Sequence, residues 1–144
     1  MIVHGGLVAL CRTGEWRGAL IQGPSGAGKS DLALRALDLG LRLVSDDRTI
    51  VWTSQGRLFG ACPPAIDGLI EARGLGLVAA PRRLMAEIRL AVVCLSPDEP
   101  IERMPEDEQL PVLGVLLPVL RLHALEASST AKLRWALSQL GARP

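Results

Sequence analysis

The chain has 144 residues, 49% hydrophobic and 22% charged, the size and composition of one ordinary domain with enough apolar material for a core. Sixteen basic residues against fifteen acidic ones leave a formal charge of +1, so the overall field recruits neither nucleic acid nor an anionic membrane. The longest uncharged apolar stretch, residues 109–120, contains two prolines and falls well short of the ~20 residues that span a bilayer.

Residues 6–10 and 18–22 are apolar, partly β-branched runs separated by the turn cluster Arg12-Thr13-Gly14-Glu15, which predicts a hairpin. After a glycine-rich segment, residues 30–39 carry apolar side chains at Leu32, Ala33, Ala36 and Leu37 with charged residues between them, the period of an amphipathic helix. Gly40 supplies its stop, and residues 41–44 read as a buried strand ending in Ser45-Asp46-Asp47. Residues 49–53 and 57–61 form a second expected strand pair, closed by Pro63-Pro64.

The two glycines in Ile-Glu-Ala-Arg-Gly-Leu-Gly break any helix over residues 69–80. Residues 88–95 read as a central strand, and residues 96–111, with six acids against one arginine, read as a solvated loop. A second helix is expected over residues 128–140, followed by Gly141. The reading is of a single domain over residues 1–144. Cys11, Cys62 and Cys94 lack any CxxC spacing and read as reduced, mostly buried thiols. The start Met-Ile-Val-His-Gly-Gly lacks the basic and apolar regions of a signal peptide, and the expected compartment is the cytoplasm.

The chemistry begins at Gly23, Pro24, Ser25, Gly26, Ala27, Gly28, Lys29 and Ser30, a complete GxxxxGK[ST] motif between a strand and a helix. Glycines let several backbone N–H groups converge on one concavity, and the helix N-terminus behind them favours phosphate. Lys29 would reach the β- and γ-phosphates of ATP, and Ser30 would offer its hydroxyl to Mg²⁺. The chain holds fourteen arginines and only two lysines, so a lysine at this position reflects a requirement for that side chain.

Asp46 and Asp47 end a strand expected to lie beside the strand that feeds the glycine loop, which brings their carboxylates to the same edge. One acid can hold Mg²⁺ while the other accepts the proton of an attacking hydroxyl. Glu71 and Arg73 suit either a metal-and-phosphate pair or a surface ion pair. His4 alone reads as structural or exposed, and Asp98, just past the central strand, is the competing metal-binding acid.

Together, His4-Gly5, GPSGAGKS, Ser45-Asp46-Asp47 and Glu71-Ala72-Arg73-Gly74-Leu75-Gly76 resemble, in order and spacing, the catalytic domain of the HPr kinase/phosphorylase family. The resemblance is dense up to Gly76 and looser after it, and corresponds to a short form without the family's N-terminal domain. It implies an α/β fold, a P-loop kinase domain akin to phosphoenolpyruvate carboxykinase with a central mixed sheet and flanking helices. It also implies ATP- and Mg²⁺-dependent phosphorylation of a serine on an HPr-type phosphocarrier protein of a phosphotransferase system, reversible with inorganic phosphate, and it is compatible with a homo-oligomer. By the same resemblance Asp47 takes the serine proton with Asp46 as its neighbour. Glu71 is metal-associated, and His4, Arg73 and Arg103 belong to the catalytic set.

The family's Pro-Gly-Arg-Asn stretch, associated with dephosphorylation, is absent, because Pro118-Val119 is followed by Leu120-Arg121-Leu122-His123. Forward transfer is therefore expected to exceed the reverse, with Arg121 as the one cation able to substitute. The glycine loop alone also fits a small-molecule kinase or NTPase, or a nucleotide-sensing module without turnover.

Overall fold

The computed structural model describes residues 1–141. β1 (Ile2–His4), β2 (Gly6–Arg12) and β3 (Glu15–Gln22) precede α1 (Lys29–Leu37). Then come β4 (Arg42–Ser45), β5 (Arg48–Ser54), β6 (Arg57–Ala61), β7 (Leu69–Ala72), β8 (Gly76–Ala79) and β9 (Met85–Cys94). β10 (Gln109–Val112), β11 (Val115–Leu122) and α2 (Ser129–Gln139) complete the described residues.

Nine strands form one mixed sheet in the order β1-β5-β6-β9-β3-β2-β4, with β11 also on β9 and β10 on β11. β9 is its axis. One edge pairs in parallel with β3, and the other is shared between β6, at Met85 to Glu87, and β11, at Ala91 to Cys94. Alternate residues enter opposite faces. Val8, Ile21 and Val92 pack with Leu32, Ala36, Leu133 and Leu137 of the two helices. Leu7, Leu20, Ile88 and Ala91 pack on the other face with Val51, Leu58 and Leu117. Each such aliphatic side chain contributes about 1.5–3 kcal/mol when fully buried.

Three hairpins turn on two residues, Thr13-Gly14, Gln55-Gly56 and Leu113-Gly114, all with positive φ, as type I′ turns require. The last of these overturns part of the expected loop over residues 96–111. Gln109 opens β10, which pairs antiparallel with β11 so that Leu117 is buried. The expectation failed because Leu113 is an unusual residue for a left-handed turn position.

A second correction concerns β4. It pairs with β2, which stands between it and β3, because β2, in its hairpin with β3, occupies that edge of β3 and leaves only its own outer edge free. Both β3 and β4 run antiparallel to β2, so their C-terminal ends still open on one edge. The cysteines are free but not mostly buried, since Cys11 is exposed, Cys62 half-buried and Cys94 buried.

At the end of the sheet where β3 begins, two buried arginines hold α2. Arg17 Nη1 donates to the Leu137 and Ser138 carbonyls at 2.9 and 3.2 Å, while Arg17 Nε meets Glu15 at 3.0 Å. Arg89 bonds Glu15 and the Gly141 carbonyl. Cations thus face the negative end of the helix dipole.

Candidate active site

The glycine loop leaves the C-terminal end of β3 and enters α1. A Cβ at Gly23 would stand 2.5 Å from the Cys94 carbonyl oxygen, so the loop lies too close to β9 to carry a side chain there. Gly26 and Gly28 have φ of 82° and 94°, the left-handed region that favours glycine. Lys29 Nζ folds over the concavity and donates to the Gly23 and Pro24 carbonyls at 2.8 and 3.0 Å.

Beneath this loop, burial pushes the Cys94 thiol up to about 11, although the Lys29 charge acts in the opposite direction. The thiol is therefore neutral at physiological pH and presents no second anion to the loop.

Ser30 Oγ donates to Asp46 Oδ1 at 2.8 Å, and the Glu71 backbone N–H donates to Asp46 Oδ2 at 3.1 Å. One buried carboxylate therefore joins the end of β4, the start of α1 and β7. Asp47 is exposed with φ 65°, a conformation that aspartate tolerates better than most residues. Its carbonyl accepts the Gly5 N–H at 2.7 Å, and His4 lies in register with Arg48. Thr49 Oγ1 donates to the Gly5 carbonyl at 2.8 Å.

The sheet edge thus gathers the loop, Asp46, Asp47, His4 and Glu71. Arg73 follows Glu71 in the exposed β7–β8 turn. Arg103 is exposed in the acidic segment, outside the hydrogen bonds that join these elements, and Asp98 lies in an exposed turn beyond β9. Arg121 is committed to Glu108 through two bonds of 2.8 and 2.6 Å.

Among the described residues no group of three or more His, Cys, Asp or Glu could enclose a metal ion. The Ser30 hydroxyl and the Asp46 carboxylate are hard oxygen donors, and such a pair suits Mg²⁺, which keeps waters and shares phosphate oxygens. The residues present therefore fit Mg²⁺ arriving with a nucleotide.

Sequence reasoning missed what lies on the other flank of the loop. A Cβ on Gly28 would stand 2.8 Å from Leu125 Cδ2 and 3.3 Å from Ala124 Cβ. Arg35 of α1 bonds the Ala124 carbonyl and, at 3.0 Å, Ser129 Oγ. An arginine on the helix behind a glycine motif was the one available signal, and its distant partners gave it no periodicity.

Comparison with known proteins places this architecture. The chain is 37% identical over 127 residues to an HPr kinase/phosphorylase of Cupriavidus necator, covering 81% of this chain and 39% of that protein. It is 35% identical over 132 residues to an HPr kinase/phosphorylase of Streptococcus thermophilus, covering 83% and 41%. It therefore spans about two fifths of the length of these relatives. The solved structure of the Hpr(Ser) kinase/phosphatase from Coxiella burnetii superposes with a TM-score of 0.78 at 24% identity, over 95% of this chain and 87% of that one, which shows a shared fold. The sequence profile of the HPr Serine kinase C-terminal domain matches residues 1–131, and the chain belongs to that family.

Proposed function

We propose that this chain is a cytoplasmic protein-serine kinase, with a P-loop core of the phosphoenolpyruvate carboxykinase-like type, that transfers the γ-phosphoryl group of ATP to a serine of an HPr-type phosphocarrier. The observation that carries the reading is the bond from Ser30 to Asp46 beside the glycine loop, with Asp47 adjacent and exposed. The loop amides and Lys29 hold the phosphates, and Ser30 and Asp46 hold Mg²⁺. Mg²⁺, when bound, supplies positive charge against the phosphate oxygens.

Asp47 takes the proton of the serine hydroxyl as its oxygen bonds to the γ-phosphorus and the bond to ADP breaks. His4 and Arg73 flank the acceptor side, the Glu71 carboxylate stands near the metal, and Arg103 is left without a role. Arg121 already pairs with Glu108 and would have to give up that partner to hold inorganic phosphate, which supports forward transfer over its reversal.

Radiolabelled ATP, Mg²⁺ and an HPr-type phosphocarrier test the reading directly. The expected product is an acid-stable phosphoserine whose yield falls at least ~100-fold with Asp47→Asn. Absence of transfer by the parent protein, with the carrier phosphorylated normally by another kinase, would overturn it. A parental reverse rate, measured on the phosphorylated carrier with inorganic phosphate, that equals the forward rate would make the asymmetry wrong.

A further inference from the structure

We infer that the turn following β11 is the nucleoside wall of the glycine loop, with Leu125 as the surface on which a purine ring rests. This rests on the proposed function, because it assumes that the loop holds the phosphates of a nucleotide. The direction of the bound chain follows from the strand order. Ser30, Asp46 and Asp47 mark the end where metal and transfer belong, and they meet at β4, on the β2 side of β3. β9 and β11 lie on the other side of β3 and run parallel to it, so their C-terminal ends open on the same edge. A triphosphate whose terminal group lies at Asp46 and Asp47 sends its nucleoside away from them, over the ends of β9 and β11.

What stands at that place is built to be rigid. The Leu95 N–H donates to the Leu122 carbonyl at 2.9 Å, and the Glu126 N–H donates to His123 O at 3.1 Å. Ser129 Oγ lies 2.7 and 2.8 Å from the Ala124 and Glu126 carbonyls. Arg35 ties the same turn to α1. Within it Leu122 and Ala124 are 0% and 1% exposed, whereas Leu125 is 66% exposed.

Leu125 nevertheless lies flush against the glycine loop, because Gly28 carries no Cβ to hold it off. A fixed backbone thus presents one apolar side chain to solvent at the mouth of a phosphate site. Nucleobases are held mainly by apolar contact with a few polar groups at the edge. Half-buried His123, two residues before Leu125 in the same turn, supplies such an edge. The substrate feature recognised is therefore the ring of a purine nucleoside triphosphate, separately from its phosphates.

Calorimetric titration of the full chain with Mg²⁺-ATP and with Mg²⁺-tripolyphosphate separates the two contributions. Leu125→Ser should weaken ATP about tenfold and leave tripolyphosphate within about twofold, while Leu125→Met restores ATP to within about threefold. Lys29→Ala should weaken both ligands. Equal loss of both ligands in Leu125→Ser, or loss of neither, overturns the inference and leaves the phosphate site standing. The same holds if the parent binds tripolyphosphate as tightly as ATP. Failure of the parent to bind either ligand overturns the phosphate site as well. Because Leu125 is exposed, each variant is expected to unfold at the parental midpoint, and a shifted midpoint with parental ATP affinity counts against the inference.

Discussion

The two ends of the central sheet use the same charged residue types in opposite ways. Where β3 begins, the guanidinium groups of Arg17 and Arg89 are spent on Glu15, on the Leu137 and Ser138 carbonyls of α2 and on the Gly141 carbonyl just past it, and Arg83 lies 4.6 Å above the Trp16 ring. Where β3 ends, the Asp46 carboxylate is held on both oxygens, but Asp47, His4, Glu71 and Arg73 reach solvent. The first arrangement fixes a helix, and the second leaves donors and acceptors available to a ligand. Charge paired inside the chain serves stability, and charge held at an open edge is kept for what binds there.

The largest effect that would break this contrast is at Arg17. Arg17→Ala leaves two helix-terminal carbonyls without their donor and takes one of its two arginines from Glu15, which keeps Arg89, and should cost about 3 kcal/mol of unfolding free energy. Urea denaturation measures it, and nucleotide affinity of the folded variant should stay at the parental value. A loss below ~1 kcal/mol, or a changed affinity, would mean that the two ends are not separate in function.

Asp47→Asn is the mirror experiment. Phosphoryl transfer should fall about 100-fold, equivalent to ~2.7 kcal/mol of barrier, with the urea midpoint unmoved. Asp46→Asn should lower both, since that carboxylate also bonds Ser30 and the Glu71 amide. If Asp98→Asn abolishes transfer while both neighbours tolerate replacement, the catalytic acid lies beyond β9 instead.

Gly23→Ala tests the boundary between the two behaviours. The added methyl group would stand 2.5 Å from the Cys94 carbonyl, and moving the loop to accept it should cost about 2 kcal/mol. It should also weaken Mg²⁺-tripolyphosphate binding, and calorimetry and urea unfolding on one sample decide whether both losses appear together. The smallest effect is expected at Glu108→Gln, which removes an exposed partner of Arg121 and should leave the unfolding midpoint at pH 7 unmoved. The Arg121 guanidinium holds the Glu108 carboxyl below the usual carboxylate range. Any contribution from this pair is thus complete above the unfolded carboxyl's pKa and disappears as pH falls through the folded one. In a titration of the midpoint from pH 7 to pH 3, any difference between parent and variant should therefore be largest at pH 7 and close as pH falls toward 3.

The glycine loop, α1 and the aspartate pair were legible in the sequence because each rests on residues close together in the chain. The β2–β3 and β5–β6 hairpins were legible for the same reason, with glycine at the second turn position of each. The β10–β11 hairpin was hidden by Leu113, whose side chain advertises a strand rather than a turn. The place of β4 was misjudged because strand order depends on which edges are already taken, and no local pattern records that. Asp46 as the common acceptor of Ser30 and the Glu71 amide joins positions 16 and 25 residues away, contacts that only the folded chain defines. The pairing of Arg121 with Glu108 was equally out of reach, and it gives a carboxylate partner to the cation that the sequence offered for reverse transfer.

Cys94 under Gly23 gives the protein a built-in chemical clock. Its thiol is neutral and covered at pH 7, so a maleimide reaches it only when the loop lifts from β9. Exposed Cys11 on the same chain reports the reagent's unhindered rate. The ratio of the two labelling rates reads the free energy of that local opening without unfolding the sheet. A polyphosphate laid across the loop would slow the first rate and leave the second untouched, so occupancy becomes measurable by mass spectrometry on the unmutated chain.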